Sequence, residues 1–269
     1  MIPKVIHYCW FGHNEKPELV KRCIESWKKY CPDYEIKEWN EDNFDINICK
    51  FTEEAYNKKK WAFVSDFVRL YILYNYGGVY LDTDVELKES INEWMNNEGW
   101  LVFENENRIN TGLGCASIKN NEIIKIMLED YHDRSFLDIN GNINMQVCTD
   151  INTEILIEKL PSLVINDRHQ VINGMHFITT GEYNLKANHH ASASWTDHPK
   201  TKVEIRKYKD TKLKRILRNY RIQYFIRNHF GKKIFKIYTF LVYDLIEEGL
   251  IYHISRQIKK RYIYRKEEL

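Results

Sequence analysis

Hydrophobic and polar positions alternate with two different periods along the first part of the chain. Runs of β-forming residues with a period of two predict strands, and apolar residues that recur every three or four positions predict helices. In chain order the segments are a strand at 5–11, a helix at 19–27, a strand at 34–39, a helix at 53–75, short strands at 79–81 and 85–87, and further elements at 100–103, 121–131 and 151–160. Strands that alternate with helices predict an α/β fold with a mainly parallel sheet, whose ligand crevice lies beyond the carboxyl ends of its strands.

Two aspartates stand at the end of one predicted strand. Asp82 and Asp84 directly follow the apolar residues 79–81, and residues two apart in an extended chain point to the same side. Mg²⁺ and Mn²⁺ prefer oxygen ligands and commonly bridge one or two carboxylates to the phosphates of a substrate. A DxD triplet alone occurs by chance in many exposed turns, but an apolar strand that ends in paired acids favours a cation site. We therefore expect Mn²⁺ or Mg²⁺ to bind at Asp82 and Asp84.

An acid and a base precede these aspartates on the longer predicted helix. Asp66 and Arg69 lie three residues apart, so they share one helix face and can form an ion pair. In isolation the simplest interpretation is a pair on the solvent-exposed surface. Their neighbours at 63–64, 67–68 and 70 are apolar, however. This favours a partly buried pair beside a substrate cavity.

The distribution of charge divides the chain. Its 269 residues carry a formal net charge of only +2, but the part before Lys200 has 31 acidic and 20 basic side chains, whereas the part from Lys200 onward has 7 acidic and 20 basic ones. One sizeable core fits this length. We therefore predict a catalytic domain over 1–205 and a basic, amphipathic helical C-terminal region over 206–269. Such a basic block is either a solvated surface or a region that binds an anionic membrane.

The cysteines and the apolar runs predict a cytoplasmic address. Six cysteines occur without a CxxC pair and mostly within apolar stretches, as is typical of buried, reduced thiols. The sequence shows no basic leader followed by an apolar core, and the longest uncharged apolar stretch, 237–243, is far shorter than a membrane span. We expect a cytoplasmic protein that the basic region places peripherally on the inner face of the cytoplasmic membrane.

Three ordered blocks of sequence resemble one family of enzymes. Residues 2–12, 62–69 and 73–84 read IPKVIHYCWFG, AFVSDFVR and LYNYGGVYLDTD. Together they resemble family 32 of the glycosyltransferases, the DXD-containing sugar transferases. That family includes capsular and surface polysaccharide enzymes of bacteria and the initiating mannosyltransferases of fungi, and it is related to the clostridial glucosylating toxins. The resemblance covers roughly residues 2–90, returns at 189–195 and is absent from the basic tail.

The resemblance implies a GT-A-type nucleotide-sugar-binding fold and the activity of a retaining hexosyltransferase. The donor would be a nucleotide sugar, with a UDP-sugar preferred over a GDP-sugar, and a divalent metal would be the cofactor. The acceptor would be a saccharide or a lipid-linked saccharide in the synthesis of a cell-surface polysaccharide such as a capsule. No nucleic acid is expected as a partner.

The resemblance also implies roles for individual residues. Trp10 matches the aromatic side chain that stacks on the donor base, although a core tryptophan would fit the same pattern. Asp66 matches the acid that hydrogen-bonds hydroxyls of the donor sugar, and Arg69 the base that steadies the sugar or the diphosphate. Asp82 corresponds to the aspartate that reaches the ribose and the sugar and contacts the metal, often through water. Asp84 corresponds to the direct metal ligand.

The block 189–195 is expected to complete the metal site. It resembles the C-terminal loop of the family, in which His190 would bind the metal while Ser194 and Trp195 would close over the phosphates. The block departs from the spacing of the toxin relatives, so the residue that contacts metal or phosphate stays open among His189, His190, Ser192 and Ser194. Asn110 either lines the sugar pocket or belongs to an ordinary polar loop.

Two other classes of function fit parts of the pattern. A glycoside hydrolase would use Asp66 with Asp82 or Asp84 as its acid and nucleophile, and it would need neither a metal nor a nucleotide. A membrane or nucleic-acid binding module would use the basic tail, with the acidic body as a scaffold. The tail contains no recognisable nucleic-acid motif, and every motif that carries chemistry lies in the body. Both alternatives therefore rank below the transferase.

Overall fold

The structure, a computed structural model, describes residues 1–144 and 146–191. These residues form ten strands and six α-helices. The strands are β1 (Val5–Cys9), β2 (Glu35–Trp39), β3 (Gly78–Tyr80), β4 (Val85–Leu87), β5 (Gly99–Asn105), β6 (Arg108–Ile109), β7 (Cys115–Ser117), β8 (Gln170–Ile172), β9 (Met175–Ile178) and β10 (Ala187–His189). The helices are α1 (Glu18–Tyr30), α2 (Lys50–Asn57), α3 (Trp61–Tyr76), α4 (Glu122–His132), α5 (Cys148–Lys159) and α6 (Thr180–Lys186).

Eight of the strands form one mixed sheet. Its order is β2-β1-β3-β7-β5-β9-β8, and β6 pairs with β5 outside this path. β1 runs parallel to β2 and β3, and β5 runs parallel to β9. Only β7 and β8 run antiparallel to their neighbours along the path, so the other strands of the path share one direction. The α/β class and the mainly parallel sheet predicted for a GT-A-type fold are confirmed.

Helix α3 leads the chain into the strand that precedes the two aspartates. Nine of its 16 residues are buried, as is typical of a helix that is apolar almost all round. Gly77 ends the helix with a φ of 70°, and Gly78 follows with a φ of 106°, a conformation that residues with a Cβ rarely adopt. A Cβ atom on Gly78 would lie 2.8 Å from Nε2 of His7. The glycine therefore lets β3 run directly beside β1.

The core lies on both faces of the sheet. Along β5, Leu101 and Phe103 join a hydrophobic cluster with α2, α3, α4 and α5, whereas Trp100 and Val102 join a second cluster with α1 and α6. This alternation follows the period of two in a strand. Because helices cover both faces, the polar groups that could bind a ligand are concentrated at the ends of the strands.

The helix predicted over 53–75 is two helices in the structure. α2 ends at Asn57, α3 begins at Trp61, and Lys59 between them has a left-handed φ of 57°. Three consecutive lysines at 58–60 supply no apolar side chain to continue the helical stripe. The single predicted helix therefore combines two separate periodicities that this polar break divides.

In the part of the chain that the structure describes, no helix is both long enough and apolar enough to cross a membrane. The predicted boundary between 205 and 206 lies outside the described residues. So does the whole basic region 206–269, and both stay predictions.

Candidate active site and metal centre

Asp82 and Asp84 lie in a turn at the carboxyl end of β3. The N–H of Val85 donates to the carbonyl of Asp82 at 3.0 Å, which closes the turn and starts β4 immediately afterwards. The sequence pattern predicted an extended strand end, whereas in the structure the turn brings the two carboxylates together. The side chain of Asp84 is 12% exposed, while that of Asp82 is 28% exposed. Asp82 therefore presents the more open carboxylate.

His189 completes a group of three side chains that can bind a metal. It ends β10, which pairs antiparallel with β4 and places His189 opposite Val85. Its Nε2 lies 3.2 Å from Oδ1 of Asp84, and one ligand atom each from Asp82, Asp84 and His189 lie within 4.8 Å of one another. Two carboxylates suit Mn²⁺ or Mg²⁺, and the imidazole favours Mn²⁺. The residues present therefore fit the divalent cation that the sequence predicts.

The two aspartates favour the protonated form of His189. Burial opposes a charged imidazole, but the hydrogen bond to Asp84 and the negative charges of Asp84, Asp82 and Glu104 outweigh it and raise the pKa of His189 above its usual 6.5. A metal ion would have to displace this proton, because only a neutral imidazole is a ligand. Metal binding at this site would therefore be coupled to pH.

The structure places the side chain of His190 beside Glu86, whereas that of His189 lies beside Asp84. Successive residues of an extended strand point to opposite faces, so His189 and His190 cannot both face the DXD turn. Nε2 of His190 lies 2.7 Å from Oε2 of Glu86, and the N–H of His190 donates to the carbonyl of Asp84 at 3.0 Å. The histidine beside the two carboxylates is His189, one of the alternatives that the sequence left open.

Arg69 connects the DXD turn to α3. Its side chain is only 3% exposed; Nη2 donates to Oδ1 of Asp82 at 2.9 Å, and Nη1 lies 3.1 Å from Oδ1 of Asp66. Nη1 also donates to Oγ1 of Thr111 at 3.1 Å and lies 3.2 Å from Sγ of Cys148. The structure thus places Asp66 and Arg69 in a buried ion pair, as their spacing and apolar neighbours indicate. Their roles toward a donor sugar stay predictions.

Burial and neighbouring opposite charges shift the pKa values of Asp66, Asp82 and Arg69 in opposing directions. Burial raises the pKa of Asp66 from 3.8 to about 7, and the charge of Arg69 opposes this only in part. Burial also raises the pKa of Asp82 against the charge of Arg69, and the Asp84 carboxylate adds to the rise. For Arg69 itself burial lowers the pKa, but Asp82 and Asp66 outweigh it and raise the pKa. The guanidinium is therefore a permanent positive charge behind Asp82.

A buried polar loop lies beside Asp82. Oδ1 of Asn110 accepts a hydrogen bond from the N–H of Gly112 at 2.7 Å, and Nδ2 of Asn110 donates to Oε1 of Glu104 at 3.2 Å. A Cβ atom on Gly112 would lie only 2.5 Å from Oδ2 of Asp82. The glycine therefore allows the carboxylate to approach the backbone. The structure brings Asn110 to the site, although its contact with a sugar stays a prediction.

Other groups that were not predicted from the sequence also reach the site. The hydroxyl of Tyr80 donates to Oδ1 of Asp82 at 3.0 Å. Thr111, already bonded to the guanidinium, also accepts a hydrogen bond from Nδ2 of Asn152 at 3.0 Å. Cys148 and Asn152 belong to α5, whose packing against α4 and β6 no local pattern reveals. The position of Tyr80, two residues before Asp82 on a strand, could have predicted that the two side chains lie on the same side.

Trp10 lies just after β1 with its indole partly buried. Its Nε1 donates to the carbonyl of Asn14 at 2.7 Å, and Nζ of Lys16 lies 5.8 Å from the centre of its ring. The ring is therefore oriented by its own loop and is not a fully enclosed core residue, and stacking on a base stays a prediction. The residues predicted to contact or cover the phosphates that lie outside the described part of the chain are Ser192, Ser194 and Trp195.

Residues 17–100 match the family described as "Glycosyltransferase sugar-binding region containing DXD motif". This range includes Asp66, Arg69 and both aspartates of the DXD triplet, and it confirms the family resemblance found in the sequence. The blocks 2–12 and 189–195 lie outside the matched range.

Two curated proteins of Schizosaccharomyces pombe are similar to part of the chain. Inositol phosphoceramide mannosyltransferase 3 is 31% identical over 108 residues, which cover 37% of this chain and 29% of that protein. Inositol phosphoceramide mannosyltransferase 2 is 28% identical over 109 residues, which cover 38% of this chain and 30% of that protein. The chain thus spans less than a third of the length of these relatives.

Among solved structures, the PaToxG glycosyltransferase is similar to this chain with 21% sequence identity and a TM-score of 0.44. The match covers 60% of this chain and 70% of that one.

Proposed function

We propose that this chain is a metal-dependent, retaining glycosyltransferase that moves a hexose from a nucleotide-sugar donor to a saccharide acceptor. The observation that supports this most directly is the meeting of Asp82, Asp84 and His189 beside the buried Arg69. All but His189 lie in the range that matches the DXD family. Sugar transfer from a nucleotide sugar requires fixed positive charge that stabilises the departing diphosphate.

In the proposed transfer, the bond between the anomeric carbon and the diphosphate oxygen breaks, and its electron pair stays with the diphosphate. The acceptor hydroxyl oxygen bonds to the same face of the anomeric carbon, and its proton passes to the departing diphosphate. Configuration is thereby retained, and no protein acid is needed. Asp82, Asp84 and His189 would hold a divalent cation, which would supply positive charge to neutralise the diphosphate.

The other side chains of the site bind and orient. Arg69 keeps the Asp82 carboxylate aimed at the site and adds a positive charge behind it. Asn110 and Glu104, joined by their hydrogen bond, offer an amide and a carboxylate to sugar hydroxyls. Trp10 offers an aromatic face for the nucleotide base. Because orientation alone accounts for a large part of catalysis, the close packing around Arg69 contributes to rate as well as to stability.

The donor that we favour is a UDP-sugar, on the basis of the family resemblance. The fungal relatives are named mannosyltransferases, so GDP-mannose is the natural competitor to test. For the acceptor we propose a saccharide or a lipid-linked saccharide in the synthesis of a cell-surface polysaccharide such as a capsule.

The geometry disfavours glycoside hydrolysis. A hydrolase needs two carboxyl groups that face the substrate, one of which donates a proton to the leaving oxygen. The side chain of Asp66 is only 8% exposed and contacts Arg69, and Asp84 contacts His189. Asp66 is therefore not placed to reach a glycosidic oxygen.

Nucleotide release from a panel of donors tests the proposal. The purified chain is incubated with UDP-glucose, UDP-galactose, UDP-N-acetylglucosamine or GDP-mannose, in Mn²⁺, Mg²⁺ or EDTA, and free UDP or GDP is measured by chromatography. We expect release from at least one donor, only with a divalent cation, and loss of release in Asp84→Asn. If every donor stays intact while aryl glycosides are cleaved in EDTA, the hydrolase replaces the transferase.

We further propose that the protein acts in the cytoplasm on the inner face of the cytoplasmic membrane, bound through the region 206–269. The charge of that region supports this, since 20 of the chain's 40 basic side chains follow Pro199 and each basic residue near an anionic leaflet contributes about 1 kcal/mol. Cosedimentation with phosphatidylglycerol vesicles should be strong at low salt and weak at high salt. A chain that ignores such vesicles at low salt has no membrane role through this region.

A further inference from the structure

The register of a short two-stranded sheet decides which of two adjacent histidines faces the DXD turn. β4 and β10 have three residues each and form a sheet separate from the main one. A two-stranded ribbon has little stability of its own, and a slip of one residue would turn every side chain of β10 to the opposite face. Such a slip would place His190 where His189 now lies beside Asp84. Contacts outside the ladder must therefore fix the register.

Glu86 provides such a contact. It lies opposite Asn188 in the ladder, and its Oε2 is 2.7 Å from Nε2 of His190. Because a carboxylate oxygen only accepts hydrogen bonds, Nε2 of His190 carries a hydrogen and donates it to Glu86. The side chains are 29% and 23% exposed, so the bond is partly shielded from water. A hydrogen bond to a charged group is also stronger than a neutral one.

Helix α1 also contacts Glu86, through Arg22. Nη2 of Arg22 lies 3.5 Å from Oε2 of Glu86, and α1 also holds the strand itself, since Nε1 of Trp27 donates to the carbonyl of Val85 at 2.8 Å. The Arg22 side chain is 55% exposed, so its ion pair contributes little stability. Its effect is to limit the directions in which Glu86 can point. We call Glu86, Arg22 and His190 the Glu86 cluster.

We propose that Glu86 is a positioning residue that keeps β10 in the register in which His189 faces Asp82 and Asp84. His190 is the group through which Glu86 acts on the strand. The inference rests on the proposed function, since it explains how the metal site of that function obtains its third ligand. Without the Glu86 cluster, β10 frays or slips, and the imidazole of His189 is no longer held beside the carboxylates.

Mn²⁺ binding to the full chain tests this role. Bound Mn²⁺ is measured as loss of the free-ion signal in electron paramagnetic resonance, with Mn²⁺ alone and with UDP added. Glu86→Ala should weaken binding about tenfold, as expected when a group that orients a metal ligand is removed. Its melting temperature should stay within about 3 °C of the wild type, because the cluster lies at the surface. Glu86→Gln retains an acceptor for His190 and should recover most of the affinity.

Glu89→Ala is the matched control. It removes a neighbouring carboxylate that is 62% exposed and paired with Lys186 at 3.5 Å, and it should bind Mn²⁺ like the wild type. His189→Ala, alone and with Glu86→Ala, then shows whether Glu86 acts through His189. If it does, Glu86→Ala weakens binding little further once His189 is absent, because the two losses are coupled.

Three results would overturn the proposal: unchanged Mn²⁺ binding in Glu86→Ala, an equal loss with and without His189, or no Mn²⁺ binding by the wild type in either condition. None of them depends on sugar transfer. A chain that shows the expected pattern of Mn²⁺ binding but releases nucleotide from no donor would contradict the proposed function and leave the role of Glu86 standing.

Discussion

Nε2 of His189 lies 3.2 Å from Oδ1 of Asp84, although the two residues belong to distant parts of the chain. The contact joins the region that matches the DXD family to a strand outside that region. The pairing of β4 with β10 brings the two side chains into contact. The candidate metal site therefore depends on tertiary structure as much as on the DXD triplet.

Removing the charge of Asp84 should abolish transfer and leave the fold intact. Asp84→Asn keeps the shape of the side chain but takes away the carboxylate that would hold the cation, so we expect turnover to fall by more than about a hundredfold. The measurement is nucleotide release at saturating donor and Mn²⁺, with circular dichroism to check the fold. Asp42→Asn, at an exposed position, is the control. Turnover of Asp84→Asn within about threefold of the wild type would remove Asp84 from the site.

The two histidines should differ in their effect on Mn²⁺. His189→Ala removes the imidazole beside Asp84, whereas His190→Ala removes only a partner of Glu86. We therefore expect the apparent Mn²⁺ affinity in the transfer reaction to fall further in His189→Ala, by about tenfold or more relative to the wild type. A larger loss in His190→Ala would restore the assignment made from the sequence and contradict the geometry.

Mn²⁺ affinity should rise with pH. The pKa of His189 lies above 6.5 in the metal-free fold. Below that pKa, each decrease of one pH unit should therefore lower the Mn²⁺ affinity about tenfold. The folding stability of the metal-free protein should depend on pH in the opposite direction. Because the pKa of His189 is raised in the fold, its protonation stabilises the fold at low pH, and this stabilisation is lost as pH rises through the pKa. Mn²⁺ titrations at several pH values check the first slope. His189→Gln should flatten it, and an unchanged slope would show that another group titrates.

Much of the site could be predicted because its parts are local in sequence. The strand end, the DXD triplet and the spacing of Asp66 and Arg69 all fall within one short region of the chain. The choice between His189 and His190 could not be predicted, because it depends on the register of β10 against β4. The same holds for Asn152, which reaches Thr111 only because α5 packs against α4 and β6. Local patterns show which side chains share a face, but not which distant face they meet.

A side chain at Gly112 should disturb the Asp82 carboxylate. In Gly112→Ala the new Cβ would lie 2.5 Å from Oδ2 of Asp82 and 3.0 Å from Oδ1 of Asn110, so one of them must move. A displacement of this kind near reacting groups can cost up to about a hundredfold in rate, and we expect at least about tenfold in kcat/KM. Gly181→Ala, whose Cβ would meet nothing closer than 3.8 Å, is the control. Full activity in Gly112→Ala would show that the position of Asp82 is not critical.

Loss of the Arg69 guanidinium should destabilise the whole fold. Arg69→Met leaves the buried Asp66 and the partly exposed Asp82 without their shared partner, and breaking a buried ion pair in this way costs about 3–5 kcal/mol. The free energy of unfolding in urea at neutral pH measures it. Arg168→Met, at an exposed position, should change it by less than about 0.5 kcal/mol. If Arg69→Met also lowered the free energy of unfolding by less than about 0.5 kcal/mol, the buried pair would contribute nothing to stability.

Cation-dependent nucleotide binding is the property that defines this site most directly. The measurement is the melting temperature of the full chain with UDP or GDP, in Mn²⁺ or in EDTA. Ligand at about 100 times its Kd adds about 2.7 kcal/mol to stability, which corresponds to a rise of at least about 5 °C. We predict this rise for one of the two nucleotides in Mn²⁺, and its loss both in EDTA and in Asp84→Asn. No rise with either nucleotide, or an equal rise in EDTA and in Asp84→Asn, would contradict a metal-dependent nucleotide-sugar site at Asp82 and Asp84.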